Sequence, residues 1–124
     1  MRDIIKNIRL PIDGTTMDFR LTKLDAFSGV YILRLLENMP EDASVSNGLF
    51  HIIANLPQEE LKALMTSCLN HVEVLLPAGY QPVMQGSSWS WPELEHDTAN
   101  CLKLTIEEIS WTLSGFFGDG GSPS

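Results

Sequence analysis

The chain is poor in positive charge: 8 Lys and Arg stand against 16 Asp and Glu, a formal charge of −8. A nucleic-acid interface needs a basic patch to displace the counterions on phosphate, and no stretch supplies one. Arg2, Lys6 and Arg9 come nearest, and Asp3 dilutes them. The same deficit removes attraction to an anionic membrane surface. Long hydrophobic runs are missing as well. The most apolar windows, near residues 30–36 and 106–117, fall short of the ~20 residues that span a bilayer. The opening MRDIIKNIRLPIDG is broken by charge every few positions, unlike a secretory leader. Neither nucleic acid nor membrane is therefore expected as a partner, and a cytoplasmic location is. Cysteine is scarce too. Cys68 and Cys101 form no CxxC pair, so two reduced, buried thiols are expected.

What is present suits one domain. A length of 124 residues and 44% hydrophobic content support a single core. Residues 4–10, IIKNIRL, run up to Pro11, and Asp13-Gly14 is a hairpin turn signal. Met17, Phe19 and Leu21 then alternate with Asp18 and Arg20, which predicts a half-buried return strand. Thr22 and Asp25 read as the N-cap and third position of a first helix, from Leu24 to about Asn38. Its apolar residues, among them Phe27, Val30, Tyr31, Leu33 and Leu35, are too many for one stripe. A central helix contacted on two sides is expected, with Gly29 at a close helix approach. Met39-Pro40 stops it.

Ser46 to Leu56 reads as a second helix. Pro57 is placed at the first position of a third, which runs to about His71, and the two form an αα-hairpin. VEVLL, Val72 to Leu76, is strand-like; Pro77 to Gly79 turns it, and YQPVM returns, Pro82 either making this second hairpin short or standing on an edge. QGSSWSWPELEHD is the least regular stretch, and helix resumes from about Pro92. The stretch Thr105 to Gly120 reads as the terminal, organising helix, with Thr105 and Glu108 as a capping box and Gly118 as the C-cap. The fold class is thus α+β: a small, mainly helical single domain with an N-terminal β-hairpin and a short second hairpin. Residues 1–118 form the domain and 119–124 a flexible Gly/Ser-rich tail.

Few residues are placed for chemistry. Cys68, His71, His96 and Cys101 lack the tight paired spacing of a structural zinc site, and Cys68 falls on an apolar helix stripe. Nothing beside either cysteine resembles a nucleophile elbow. Glu93, Glu95 and Asp97 lack EF-hand spacing and suit a solvated helix N-terminus. The glycines of GDGGS follow a helix, so they make no phosphate loop. No catalytic residue, metal or cofactor is expected.

The aromatic residues are the remaining signal. On the terminal helix Ile106, Ile109, Leu113, Phe116 and Phe117 recur on one face. Trp111 falls roughly 140° from Ile106. It is either covered by a second internal surface or free as a partner-binding anchor, with Phe116 and Phe117 beside it. Trp89 and Trp91 alternate along an extended segment, where successive side chains face opposite ways, so at least one is a candidate contact residue.

In layout the chain resembles the tail assembly chaperones of long-tailed bacteriophages and prophages. Four stretches carry the resemblance: IRLPIDGTTMDFRLTKLDAF, LPQEELKALMTSCLNHV, GYQPVM with the later WPEL, and the terminal ISWTLSGFFGDG. They stand in the family's order and span most of the chain; the SWSW segment has no counterpart. The resemblance implies a non-catalytic protein of the bacterial host cytoplasm, absent from the mature virion. It would bind and solubilise the tape measure protein and help recruit tail tube subunits, through a longer frameshifted form in many members. A small structural tail-completion component is the alternative.

Overall fold

The computed structural model describes residues 4–36 and 45–114. β1 (Ile5–Ile12) and β2 (Thr15–Thr22) pair antiparallel around Asp13-Gly14. Both turn residues have positive φ, 52° and 82°, the conformation that matches the natural strand twist in a two-residue turn. Alternation holds on β2. Phe19 and Leu21 are fully buried and Met17 is half-buried. The other face carries directly opposed ion pairs, Arg9 Nε to Asp18 Oδ1 at 2.7 Å and Arg20 Nη2 to Glu73 Oε1 at 2.6 Å. β1 continues through Pro11 instead of stopping there. It is an edge strand, and the Pro11 carbonyl accepts from Asn100 Nδ2 at 3.1 Å, so that peptide faces away from β2 and no ladder bond is lost.

β3 (Val72–Leu76) and β4 (Gly79–Pro82) form the second hairpin. β3 docks on β2, with Phe19 opposite Val74, so both hairpins make one sheet in the order β1-β2-β3-β4. Pro82 ends the other edge strand. The segment read as irregular contains a short ribbon, β5 (Met84–Gln85) with β6 (Ser88–Trp89), followed by a 3₁₀ turn at Pro92–Leu94.

The helices are α1 (Ala26–Leu36), α2 (Val45–Asn55), α3 (Gln58–Leu69) and α4 (Thr98–Thr112). Among the described residues this is the expected α+β architecture. Several boundaries differ from expectation. Thr22 still belongs to β2 and donates its N–H to His71 O at 3.0 Å. Asp25 is the real cap of α1: its carbonyl accepts the Gly29 N–H at 3.0 Å and its carboxylate accepts from Ser28 Oγ at 2.6 Å. The Ser28 hydrogen bonds hold Asp25 below the usual carboxylate range. Pro57 sits one position outside α3.

The largest correction concerns the terminal helix. α4 begins at Thr98, capped by Asp97, whose Oδ1 accepts the Asn100 N–H at 3.2 Å. Thr105 and Glu108 lie in its middle, both fully buried, and Thr105 Oγ1 donates to Cys101 O at 2.8 Å. Threonine and glutamate three apart share a helix face wherever they occur, and here that face meets the core. Gly118, Phe116, Phe117 and the tail lie outside the described residues.

α4 remains the organising element. Its early residues Cys101 and Leu104 close a cluster with Phe19, Leu21, Val72 and Val74 of the sheet. Its later residues Ile109 and Leu113 close a second cluster with Ile32 of α1, Leu49 and Ile53 of α2, and Leu64 and Cys68 of α3. α2 and α3 thus both pack on α4, which also receives α1. Among the described residues the expectation that α1 is contacted on two sides is not met. Ile32 is buried, yet Phe27 is 87% exposed, Val30 55% and Tyr31 43%.

Candidate functional site

The β5–β6 ribbon is held in place by one side chain. Asn70, at the end of α3, donates Nδ2 to Gly86 O at 2.9 Å and accepts the Gly86 N–H on Oδ1 at 2.8 Å. Gly86 has a φ of 60°, a left-handed turn position that favours glycine. The ribbon's far end is fixed by Val83, whose carbonyl accepts both the Ser90 and Trp91 N–H groups, at 3.0 and 3.1 Å. The chain bends there, which breaks the expected opposition of the two tryptophans. Both are half-buried against the sheet-side cluster. Trp91 lies edge-on to Phe19 with centroids 6.0 Å apart. Trp89, opposite Met84 in the ribbon, forms one wall of a groove.

This groove, of about 810 Å³, runs between α2, α3, the start of α4 and the ribbon. Phe50 and Ile53 line it from α2, Leu61 and Met65 from α3, and Leu102 from α4. Lys62 and Glu95 supply charge at its lining. Apolar walls with two methionines nearby and a few polar groups fit an apolar side-chain row better than a small polar substrate. Of the sequence-derived candidates, Trp89 belongs to this groove. Phe50, Leu61, Met65 and Leu102 were not singled out, because each sits on an ordinary amphipathic helix and only tertiary placement leaves one side open.

Trp111 is elsewhere, at the start of β1. Its Nε1 donates to Ile4 O at 3.0 Å, and Lys23 Nζ sits 4.7 Å from the ring centroid, Lys6 Nζ 5.9 Å. The ring is half-buried against the sheet-side cluster. It lies off the core stripe as expected, but an internal surface occupies it. Phe116 and Phe117 lie outside the described residues.

The groups that could carry chemistry are otherwise engaged. Cys68 and Cys101 are free and buried. Burial, with Glu108 nearby, pushes the Cys68 thiol far up, and burial, with Asp97 nearby, pushes Cys101 to about 11. Both are thiols, not thiolates, at neutral pH. Cys101 Sγ donates to Leu94 O at 3.0 Å, and His71 Nδ1 turns to Ser67 O of its own helix at 3.0 Å. Among the described residues no three His, Cys, Asp or Glu side chains converge as metal ligands. No described helix is long and apolar enough to cross a membrane.

Among the described residues, Glu108 is the one unexplained ionisable group. Both carboxylate oxygens are buried without a hydrogen-bond partner. Burial pushes its carboxyl up to about 9, against a weaker opposing pull from the Thr112 hydroxyl. That hydroxyl lies outside hydrogen-bonding geometry with the carboxylate and accepts the Leu24 N–H at 3.0 Å. Glu108 is therefore a neutral acid at pH 7, and it lines neither this groove nor the smaller one beside α1. Comparison of the chain with protein-family models, curated proteins and solved structures gave no match.

Proposed function

We propose that the protein is a non-catalytic tail assembly chaperone of the long-tailed-phage type. In this reading it binds an apolar helical segment of a tape measure protein and keeps that segment soluble. It also helps to recruit tail tube subunits, through a longer frameshifted form where one is made. It acts in the cytoplasm of the bacterial host and stays out of the mature virion. The observation that supports the binding step is the groove walled by Phe50, Leu61, Met65, Trp89 and Leu102. A tape measure protein is long, helical and apolar, and a helix lays side chains at i, i+3, i+4 and i+7 into such a groove. The net charge of −8 keeps the loaded complex from associating further.

The test is co-expression with the product of a long, helix-rich reading frame next to the gene. The wild-type chain is expected to co-purify with it and hold it in solution. Met65→Glu places a charge in the groove and should lower affinity by about tenfold or more; because Met65 also packs against the sheet-side cluster, a thermal melt checks that the variant is folded. Full binding by a folded Met65→Glu variant would move the site away from the groove. No binding by the wild-type chain would contradict the chaperone reading itself.

A further inference from the structure

We propose that the outward face of α1 is a self-association surface, on which α1 of a second copy of this chain docks antiparallel about a two-fold axis near Val30. Residues 27, 30, 31 and 34 fall within about 100° of arc on a helix, so Phe27, Val30, Tyr31 and Arg34 form one stripe. The first three are the most exposed apolar side chains of the described helices together with Phe50, and Arg34 is exposed as well. The inward side of α1 is already spent on Ile32 and on Gly29, which faces Thr112. The apolar excess that the sequence shows in this helix is thus half used inside the chain.

Charge selects the occupant. The stripe begins beside one carboxylate, Glu60, in the groove that Phe27 and Tyr31 share with Ala63 and Ser67 of α3; Asp25, about 160° around the helix from Phe27, lies on the far side and is bonded to Ser28. The stripe ends, roughly 10 Å further along, at Arg34. A two-fold interface must be complementary to itself. Antiparallel pairing about Val30 sets Phe27 of one copy between Tyr31 and Arg34 of the other. It brings each Arg34 level with the other copy's Phe27 and the Glu60 beside it, and it opposes the two helix dipoles favourably. A uniformly basic partner would satisfy Glu60 but meet Arg34 with like charge. The surface is separate from the groove that holds Trp89, so this inference stands independently of the chaperone reading.

Sedimentation equilibrium of the full chain tests it, using wild type, Phe27→Ser, Arg34→Glu, Glu60→Arg and the Arg34→Glu/Glu60→Arg double variant. Wild type is expected to dimerise, each single variant to weaken the dimer about tenfold or more, and the double variant to regain most of that loss. Thermal melts check folding, and Val30→Ser replaces Phe27→Ser if the latter melts early. A wild-type chain that stays monomeric at millimolar concentration overturns the proposal. So does a dimer indifferent to the serine variants, or a double variant no better than the singles.

Discussion

Two residues, Glu108 and Trp111, behave differently from what their types suggest. An acid whose folded pKa rises from 4.5 to about 9 binds its proton more tightly folded than unfolded. Its contribution to stability is full below pH 4.5, falls as pH rises, and is lost by about pH 9. The slope from this one group is about 1.4 kcal/mol per pH unit. Glu108→Gln cannot titrate. Denaturant unfolding at pH 5 and pH 7 should show the wild type losing about 2–3 kcal/mol more than the variant across that interval. Parallel pH profiles would mean that the carboxyl is solvated. Trp111 closes a hydrogen bond to Ile4 and shields two lysine contacts. Trp111→Ala should cost roughly 2 kcal/mol, a fall of about 8–10 °C in Tm for a domain of this size. A variant that melts with wild type would return Trp111 to the list of partner anchors.

At the scale of elements, the hairpins were legible because strand alternation and turn chemistry are local. Asp13-Gly14 adopts the turn its residue types favour, and Phe19 and Leu21 point inward as their spacing requires. The terminal helix was legible in existence but not in its start. Thr105 and Glu108 carry the same letters as a capping box, and only the core around them shows that they are interior. The ribbon was hidden because its two-residue strands are too short to show a period, and its anchor, Asn70, lies in another element. Gly29 was read as a close-packing device, and space there is less tight than that. A Cβ at Gly29 would meet Thr112 Cγ2 at 3.6 Å, an ordinary contact. Gly29→Ala should therefore stabilise α1 by about 0.5–1 kcal/mol through helix propensity alone. Destabilisation in a urea titration would show that α1 and α4 approach more closely than this.

At the scale of the molecule, among the described residues two clusters meet on α4, and the groove beside Trp89 and the outward face of α1 are left apolar and open. The first was partly legible, since the SWSW segment announced surplus aromatics; its other walls come from helices whose open side depends on how α2 and α3 straddle α4. Under the proposed function, the groove receives an apolar helix of a tape measure protein. Hydrogen–deuterium exchange of the full chain, with and without a helical tape measure fragment, tests it most directly. Slowed exchange is expected in α2, α3 and the β5–β6 ribbon, with the β1–β2 turn unchanged. Protection confined to α1 or the sheet edges, or none at saturating fragment, would contradict it.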